Sequence, residues 1–453
     1  MSDLDTDLDA VFKAYDIRGL SPGQLGADGC RRIGAAFARF AADAEGATRI
    51  LVARDMRPTG VELSAAFSEG VLDQGLDVVD LGLASTDVAY FGAGHLQAPA
   101  AMFTASHNPA AYNGIKMCLT AAKPIGVDTG LGDIKAMAAS GLEPAGARGQ
   151  RSAVDLLADY VTHVRSFVDL SVLRPMKVVA DTANGMGGLV VPAVFEGLGF
   201  ELELLYPELD GSFPNHPADP IDPANQVDLI ARVLATGADV GLAFDGDADR
   251  VFLVDEQGVG LSGSTTTAIV AAGVLAKEPG ATILHNCICS KAVPEVVREL
   301  GGTPIRTRVG HSYIKAVMAE TGAAFGGEHS AHYYFRENYR ADSGCIAALL
   351  VLEQLALAGV PLSELRKPFE RYSASGEINF RVDDPHADIE RVGARFADAD
   401  QDHLDGLTVD LGEWWFNLRA SNTEPLLRLN LEAPDQPSVD QRVAELTDLI
   451  KER

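Results

Sequence analysis

Short apolar runs recur along the chain in a fixed order, separated by polar segments rich in Gly and Asp. An apolar strand leads into a polar loop, a helix-length segment ending near Gly, a second strand, another helix, and a third strand that runs into a polar loop. The first instance predicts strands at 49–54, 76–81 and 100–103. The second predicts them at 177–181, 200–205 and 240–244, and the third at 282–286, 304–309 and 323–325. Within each instance the first two strands start about 22 to 27 residues apart, which leaves room for a loop and the crossover helix of a parallel α/β unit. Gly75, Gly199 and Gly301 stand just before the second strands, where helix C-caps are expected. From about residue 367 the pattern changes, with strands predicted at 378–382 and 426–431 and a last helix over 443–450. The expected organisation is four domains, 1–150, 151–254, 255–366 and 367–453: three repeated α/β domains and a smaller C-terminal α+β domain.

The repeat has a chemical consequence. Ligands gather at the carboxyl ends of parallel strands, and the most polar loop of each repeat follows its third strand. Three packed copies are expected to point these loops into one cleft. The first loop, Thr104-Ala105-Ser106-His107-Asn108-Pro109, exposes a serine among small neighbours, with Asn108 and Pro109 favouring a turn. An ordinary serine turn fits the same residues, and a Ser/His hydrolase pair fits poorly without an orienting Asp.

The second loop, Asp245-Gly246-Asp247-Ala248-Asp249-Arg250, alternates carboxylates with small residues. Packed together they repel unless a cation relieves them, and a hard divalent ion prefers oxygen ligands. A calcium EF-hand competes, since Glu256 occupies its twelfth position, but Arg250 stands where that loop needs Gly and strands flank it. A haloacid dehalogenase-like phosphatase would place its aspartates after a first strand, not a third. Magnesium bridging Asp245, Asp247 and Asp249 to phosphate oxygens is the expectation.

The third loop holds Glu328, Ser330 and His332 at alternate positions; in extended backbone they share one face and offer hydrogen bonds to sugar hydroxyls. The fourth, Arg419-Ala420-Ser421-Asn422-Thr423-Glu424-Pro425, offers a guanidinium fork, side-chain donors and a turn backbone, a phosphate cradle.

Composition narrows the partners. The 453 residues carry a formal net charge of −27, which argues against a nucleic-acid binder. An acidic chain holds an anionic ligand only by concentrating its cations at one cleft. Arg250 and Arg419 lie in the loops, Lys116 and Arg428 close after two of them, and Arg18 and Lys291 in other polar segments. The five cysteines, Cys30, Cys118, Cys287, Cys289 and Cys345, match no zinc spacing and read as buried thiols. The acidic start carries no signal-peptide pattern and no apolar run approaches a membrane span, so the expectation is a cytoplasmic protein with no membrane partner.

Together with Lys13-Ala14-Tyr15-Asp16-Ile17-Arg18-Gly19, the four loops, in this order, resemble the α-D-phosphohexomutase family over nearly the whole chain, and most nearly its bacterial phosphomannomutase/phosphoglucomutase members. The resemblance implies four domains around a central cleft, and Ser106 phosphorylated in the resting enzyme. It implies Mg2+ on the phosphoserine and on Asp245, Asp247 and Asp249, and a hexose 1,6-bisphosphate as intermediate and activator. Arg419, Ser421, Asn422 and Thr423 would hold the non-transferring phosphate, and Glu328 and Ser330 the sugar hydroxyls, with His332 nearby. Tyr15, His107, Asn108, Arg250, Lys291 and Arg428 would contact substrate, and Arg18, Lys116, His311 and His332 are the candidates for general acid or base. Ser421-Asn422-Thr423 is the phosphomannomutase/phosphoglucomutase form, whereas phosphoglucosamine mutases place Gly at Asn422. His329 and Ala331 depart from the common Gly-Glu-Met-Ser-Gly-His loop. The expected activity is mannose 1-phosphate/mannose 6-phosphate interconversion, with glucose phosphates as further substrates, by a monomer or homodimer. A phosphoglucosamine mutase, a magnesium-dependent sugar phosphatase and a sugar-phosphate-binding regulator are the competing readings.

Overall fold

The computed structural model describes residues 6–420 and 426–451. The chain divides into two compact units, residues 1–261 with 332–363, and residues 262–331 with 364–453.

In the first unit, strands Arg49–Arg54, Asp77–Leu83 and Ala100–Phe103 pair in parallel, with Arg49–Arg54 in the middle. The chain leaves Ala100–Phe103 through the Ser106 loop and returns antiparallel as Tyr112–Leu119, on whose far side Ile17–Leu20 adds another antiparallel strand. The next domain repeats the plan. Lys177–Asp181 lies between parallel Glu201–Leu205 and Val240–Phe244, and the chain returns through the Asp245 loop as antiparallel Val251–Asp255. Both sheets are therefore mixed, and both polar loops are reversals between a parallel strand and an antiparallel one.

Helices Ala27–Glu45 and Gly60–Asp73 cover the first sheet and contribute Ile33, Phe37, Leu63 and Phe67 to its core. They approach closely because each presents a glycine to the other's backbone. A Cβ on Gly34 would meet the Phe67 carbonyl oxygen at 2.1 Å, and one on Gly70 would meet that of Arg31 at 2.0 Å.

In the second unit, Thr282–Asn286 lies between parallel Thr303–Thr307 and Phe325–Gly327. The last of these was expected at 323–325. It forms two residues later and runs through Gly326 and Gly327, where a Cβ on Gly327 would meet the Thr267 hydroxyl oxygen at 2.2 Å. Side-chain-free positions carry no apolar signal, so sequence periodicity ends the strand early. The C-terminal domain is an antiparallel sheet in which Leu426–Ala433 pairs with Ile378–Arg381 and Trp415–Ala420, and Leu407–Asp410 extends it. Helices Pro385–Arg395 and Gln436–Lys451 supply Ile389, Val392, Val439 and Leu446 to its core.

Gly75, Gly199 and Gly301 all adopt positive φ, at 82°, 81° and 79°. Gly75 and Gly301 stand directly after helix C-caps, and Gly199 stands in the turn before its strand. All five cysteines are buried. Among the described residues no single helix is long and apolar enough to cross a membrane.

The glycine contact between the first two long helices sets a prediction. Gly34→Ala must push the Phe67 backbone away, and overpacking of this kind costs about 1–3 kcal/mol. The urea midpoint of the first domain's transition should fall accordingly; an unchanged midpoint would mean that the helices separate freely.

Candidate active site

Ser106 sits at φ 49°, a left-handed conformation that non-glycine residues adopt rarely and at a cost of about 1–3 kcal/mol. Its N–H donates to Thr104 Oγ1 at 2.9 Å, and Asn108 N–H donates to the Ala105 carbonyl at 3.0 Å. The turn aims the serine hydroxyl at the neighbouring loop, where Ser106 Oγ donates to Asp245 Oδ2 at 2.8 Å. Arg250 binds the same carboxylate oxygen through Nε at 2.9 Å and reaches Ser106 Oγ through Nη2 at 3.4 Å. The backbones approach closely as well, since a Cβ on Gly246 would meet the Ser106 carbonyl oxygen at 2.5 Å. His107 Nδ1 lies 3.3 Å from Ser106 Oγ; burial, helped by Arg250 and Arg18, holds His107 well below the usual histidine range. Arg18 donates to Asn108 Oδ1 at 2.7 Å and to Asp16 at 2.5 Å. Tyr15 lies half-buried in the segment before it.

The carboxylates converge as the alternation suggested. Asp245 and Asp247 are 0% exposed and Asp249 1%, and each offers an oxygen within 4.8 Å of the others'. Strands flank this loop, and Glu256, the competing calcium ligand, instead accepts from Ser363 N–H at 3.1 Å. Lys116, from the strand that follows the Ser106 loop, sends its ammonium to Asp247 Oδ2 at 2.8 Å and to Asp249 Oδ2 at 2.6 Å. Burial opposes charge on Lys116, but the two carboxylates outweigh it and hold the ammonium well above its usual range. Burial raises Asp247 too, yet Lys116 and Thr86 reverse this and leave it below the usual carboxylate range. Asp245 is pushed up to about 7 by burial, against the pull of Arg250.

Two residues without any sequence signal complete the cluster. Thr86 opens helix Thr86–His95 and donates its hydroxyl to Asp247 Oδ2 at 2.5 Å and its N–H to the Asp247 carbonyl at 3.0 Å. Asp342 accepts from His332 Nδ1 at 2.7 Å, and the same nitrogen lies 3.8 Å from Asp249 Oδ1. Thr86 is 161 residues from its partner, and nothing local marks either contact.

The donor set suits a divalent metal. Asp247 Oδ1 and Asp249 Oδ1 are buried and have no hydrogen-bond partner among the described residues. Such oxygens are costly unless something binds them, and an all-oxygen set matches a hard cation.

The second unit holds the remaining candidates. Glu328 is buried and accepts from Gly310 N–H at 2.9 Å and from Asn286 Nδ2 at 3.4 Å. The expected extended backbone from Glu328 onward is instead a turn: Ala331 N–H donates to the Glu328 carbonyl at 3.0 Å, and Ala331 adopts φ 64°. Alternate residues there do not share a strand face. Ser330 is half-buried in this turn. His311 opens helix His311–Thr321. Lys291 Nζ binds Asp410 Oδ1 at 2.8 Å and the Gly412 carbonyl at 3.0 Å. Arg419 and Arg428 face each other across paired strands, and Glu377 joins them, at 2.7 Å to Arg419 and 3.4 Å to Arg428. Ser421, Asn422 and Thr423 lie outside the described residues.

A buried hydroxyl against a carboxylate cluster that can hold a metal, with fixed cations around it, is equipment for phosphoryl transfer. Comparisons with known proteins point the same way. The phosphoglucomutase/phosphomannomutase family's alpha/beta/alpha domains I, II and III match residues 9–141, 158–258 and 262–372, and its C-terminal domain matches 377–449. A protein of Xanthomonas campestris pv. campestris named for phosphohexose mutases is 40% identical, over 97% of this chain and 99% of that one. A phosphomannomutase of Salmonella montevideo is also 40% identical, over 97% and 98%. A crystal structure of a family protein from Burkholderia thailandensis superposes with a TM-score of 0.89 at 34% identity, covering 98% of this chain and 97% of that one. The chain belongs to the phosphoglucomutase/phosphomannomutase family and is a phosphohexomutase, an isomerase of hexose phosphates.

Thr86 generates a prediction. Outer hydrogen bonds to metal-binding carboxylates are worth about 10–100-fold in metal affinity, so Thr86→Val should weaken Mn2+ binding by that factor. Titration followed by electron paramagnetic resonance reads this directly, and wild-type affinity in the variant would mean that Thr86 does not support a metal on these carboxylates.

Proposed function

We propose that Ser106 is the phosphoryl carrier of a mutase that interconverts mannose 1-phosphate and mannose 6-phosphate, with glucose phosphates as further substrates. Phosphorylated Ser106 gives its phosphoryl group to the free 1- or 6-hydroxyl oxygen of the bound hexose phosphate. The bond from phosphorus to Ser106 Oγ breaks as the bond to the sugar oxygen forms, and the hydroxyl proton passes to a base. The product is a 1,6-bisphosphohexose; its other phosphoryl group then passes to Ser106 Oγ, the bond from phosphorus to that sugar oxygen breaking as the new bond forms and the freed oxygen taking up the proton held by the base. The same bisphosphate, supplied from outside, restores a dephosphorylated enzyme and so acts as an activator.

The observation that carries this reading is the Ser106 hydroxyl 2.8 Å from Asp245, in a cluster with two buried carboxylate oxygens that lack a hydrogen-bond partner among the described residues. Asp245, Asp247 and Asp249, with the phosphorylated Ser106, are the residues to hold Mg2+, which when bound neutralises charge on the phosphoryl oxygens. Arg250 contacts both Ser106 and Asp245, which suits it to steady the transferred group. Arg18, Lys116, His311 and His332 are the candidates for proton transfer. The substrate's contacts are assigned to Tyr15, His107, Asn108, Lys291, Glu328, Ser330 and His332. Its non-transferring phosphate is assigned to Arg419, Ser421, Asn422, Thr423 and Arg428. The Ser421-Asn422-Thr423 form disfavours glucosamine phosphates, and the mannose preference rests on the names of relatives such as the Salmonella montevideo phosphomannomutase.

The test incubates the protein with Mg2+, mannose 1-phosphate and a trace of glucose 1,6-bisphosphate. Mannose 6-phosphate is the expected product; free mannose with inorganic phosphate would make the protein a phosphatase instead. Ser106→Ala should abolish turnover while leaving the fold intact, and chelation by EDTA should stop it until Mg2+ is restored. Near-normal activity in Ser106→Ala would refute the carrier role.

A further inference from the structure

Arg57 lies in the segment Asp55-Met56-Arg57-Pro58, which no part of the activity described above uses. It is fully buried, and its guanidinium spends its donors on one loop. Nη2 donates to the carbonyls of Ser106 at 2.9 Å and Asn108 at 2.6 Å. Nη1 donates to those of Pro109 and Tyr112, each at 2.9 Å. Nε donates to Asp55 Oδ2 at 3.2 Å, whose other oxygen accepts the Arg57 backbone N–H at 2.9 Å. Five donors in a rigid plane are therefore matched by five acceptors. From the second domain, Phe213 lays its ring 5.0 Å from the guanidinium carbon. Gly211 packs so closely there that a Cβ would meet Arg57 Cα at 2.6 Å.

The placement matters because Ser106 is held in a costly left-handed conformation. At φ 49° it is strained, so its backbone must be fixed from outside. The Nη2 bond falls on the Ser106 carbonyl itself, so a shift of the guanidinium moves the serine relative to Asp245 and Arg250. A lysine ammonium is a single point with three donors and cannot span four carbonyls.

We propose that Arg57 is a positioning residue that sets the Ser106 hydroxyl for in-line phosphoryl transfer; this rests on Ser106 being the phosphoryl carrier. The test takes dephosphorylated full-length enzyme with Mg2+, mixes it with glucose 1,6-bisphosphate, and follows phosphate incorporation by rapid quench. In Arg57→Lys the first-order rate constant should fall about 100-fold, the scale of a misplacement near 1 Å, while incorporation still reaches the wild-type amplitude. The KM for hexose 1-phosphate should change by less than about twofold, since ground-state binding is untouched. A wild-type rate constant, with or without reduced amplitude, would make Arg57 a folding residue only and overturn the proposal. If Arg57→Lys lacks the wild-type circular dichroism, Phe213→Leu decides. Loss of the ring over the guanidinium should slow the same rate constant about threefold, and an unchanged rate overturns the proposal. Ser106→Ala runs alongside: phosphate uptake there would sink the carrier role itself, whereas no uptake there with a normal Arg57→Lys rate sinks only the role of Arg57.

Discussion

Asp245, Asp247 and Asp249 are held together out of water within six residues of chain. Each buried ion carries an effective penalty of about several kcal/mol, and neighbouring carboxylates add repulsion. Much of the first unit follows from meeting that demand. Lys116 is drawn inward from an adjacent strand to bridge Asp247 and Asp249, Arg250 folds back onto Asp245, and Thr86 brings a helix end to Asp247. Small residues fill the intervening positions because the loop is tight, with Gly246 against the Ser106 backbone and Ala248 at φ 61°. Two carboxylate oxygens still lack a hydrogen-bond partner among the described residues, so the cluster could hold a metal.

The same economy of charge runs through both units. In a chain of net charge −27, the cations described above are paired with acids: Lys116 and Arg250 in the carboxylate cluster, Arg57 with Asp55, Arg419 and Arg428 with Glu377, Lys291 with Asp410. Like charges opposite each other on paired strands repel, so Arg419 and Arg428 need the anion that Glu377 supplies. The acids thus do more than solubilise the surface; they hold cationic side chains in fixed places.

Legibility varied with the range of the interaction. The Asp245 loop was readable because alternating carboxylates after an apolar strand are a local pattern with a local electrostatic meaning. The turn at Glu328 has the alternation of an extended segment, since Ala331 in a left-handed conformation leaves no trace in that pattern. The strand Phe325–Gly327 slipped by two residues because glycines are silent in a hydrophobicity pattern. Glu377 carries no local signal for a similar reason: a lone acid before a strand has the pattern of any solvated charge, and only the fold sets two arginines on it.

The sequence by itself determined the repeated α/β plan, the change of pattern near residue 367, the gathering of carboxylates in the Asp245 loop and the family. These depend on side-chain periodicity and on neighbours along the chain, which folding preserves. Only the tertiary structure decided that Lys116 lies between aspartates 131 and 133 residues away, that Thr86 meets one 161 residues away, and that Arg57 grips the Ser106 loop from 49 residues upstream. Such contacts arise where separately folded strands and helices dock, and a docking geometry is a property of packed surfaces that no short stretch of sequence contains.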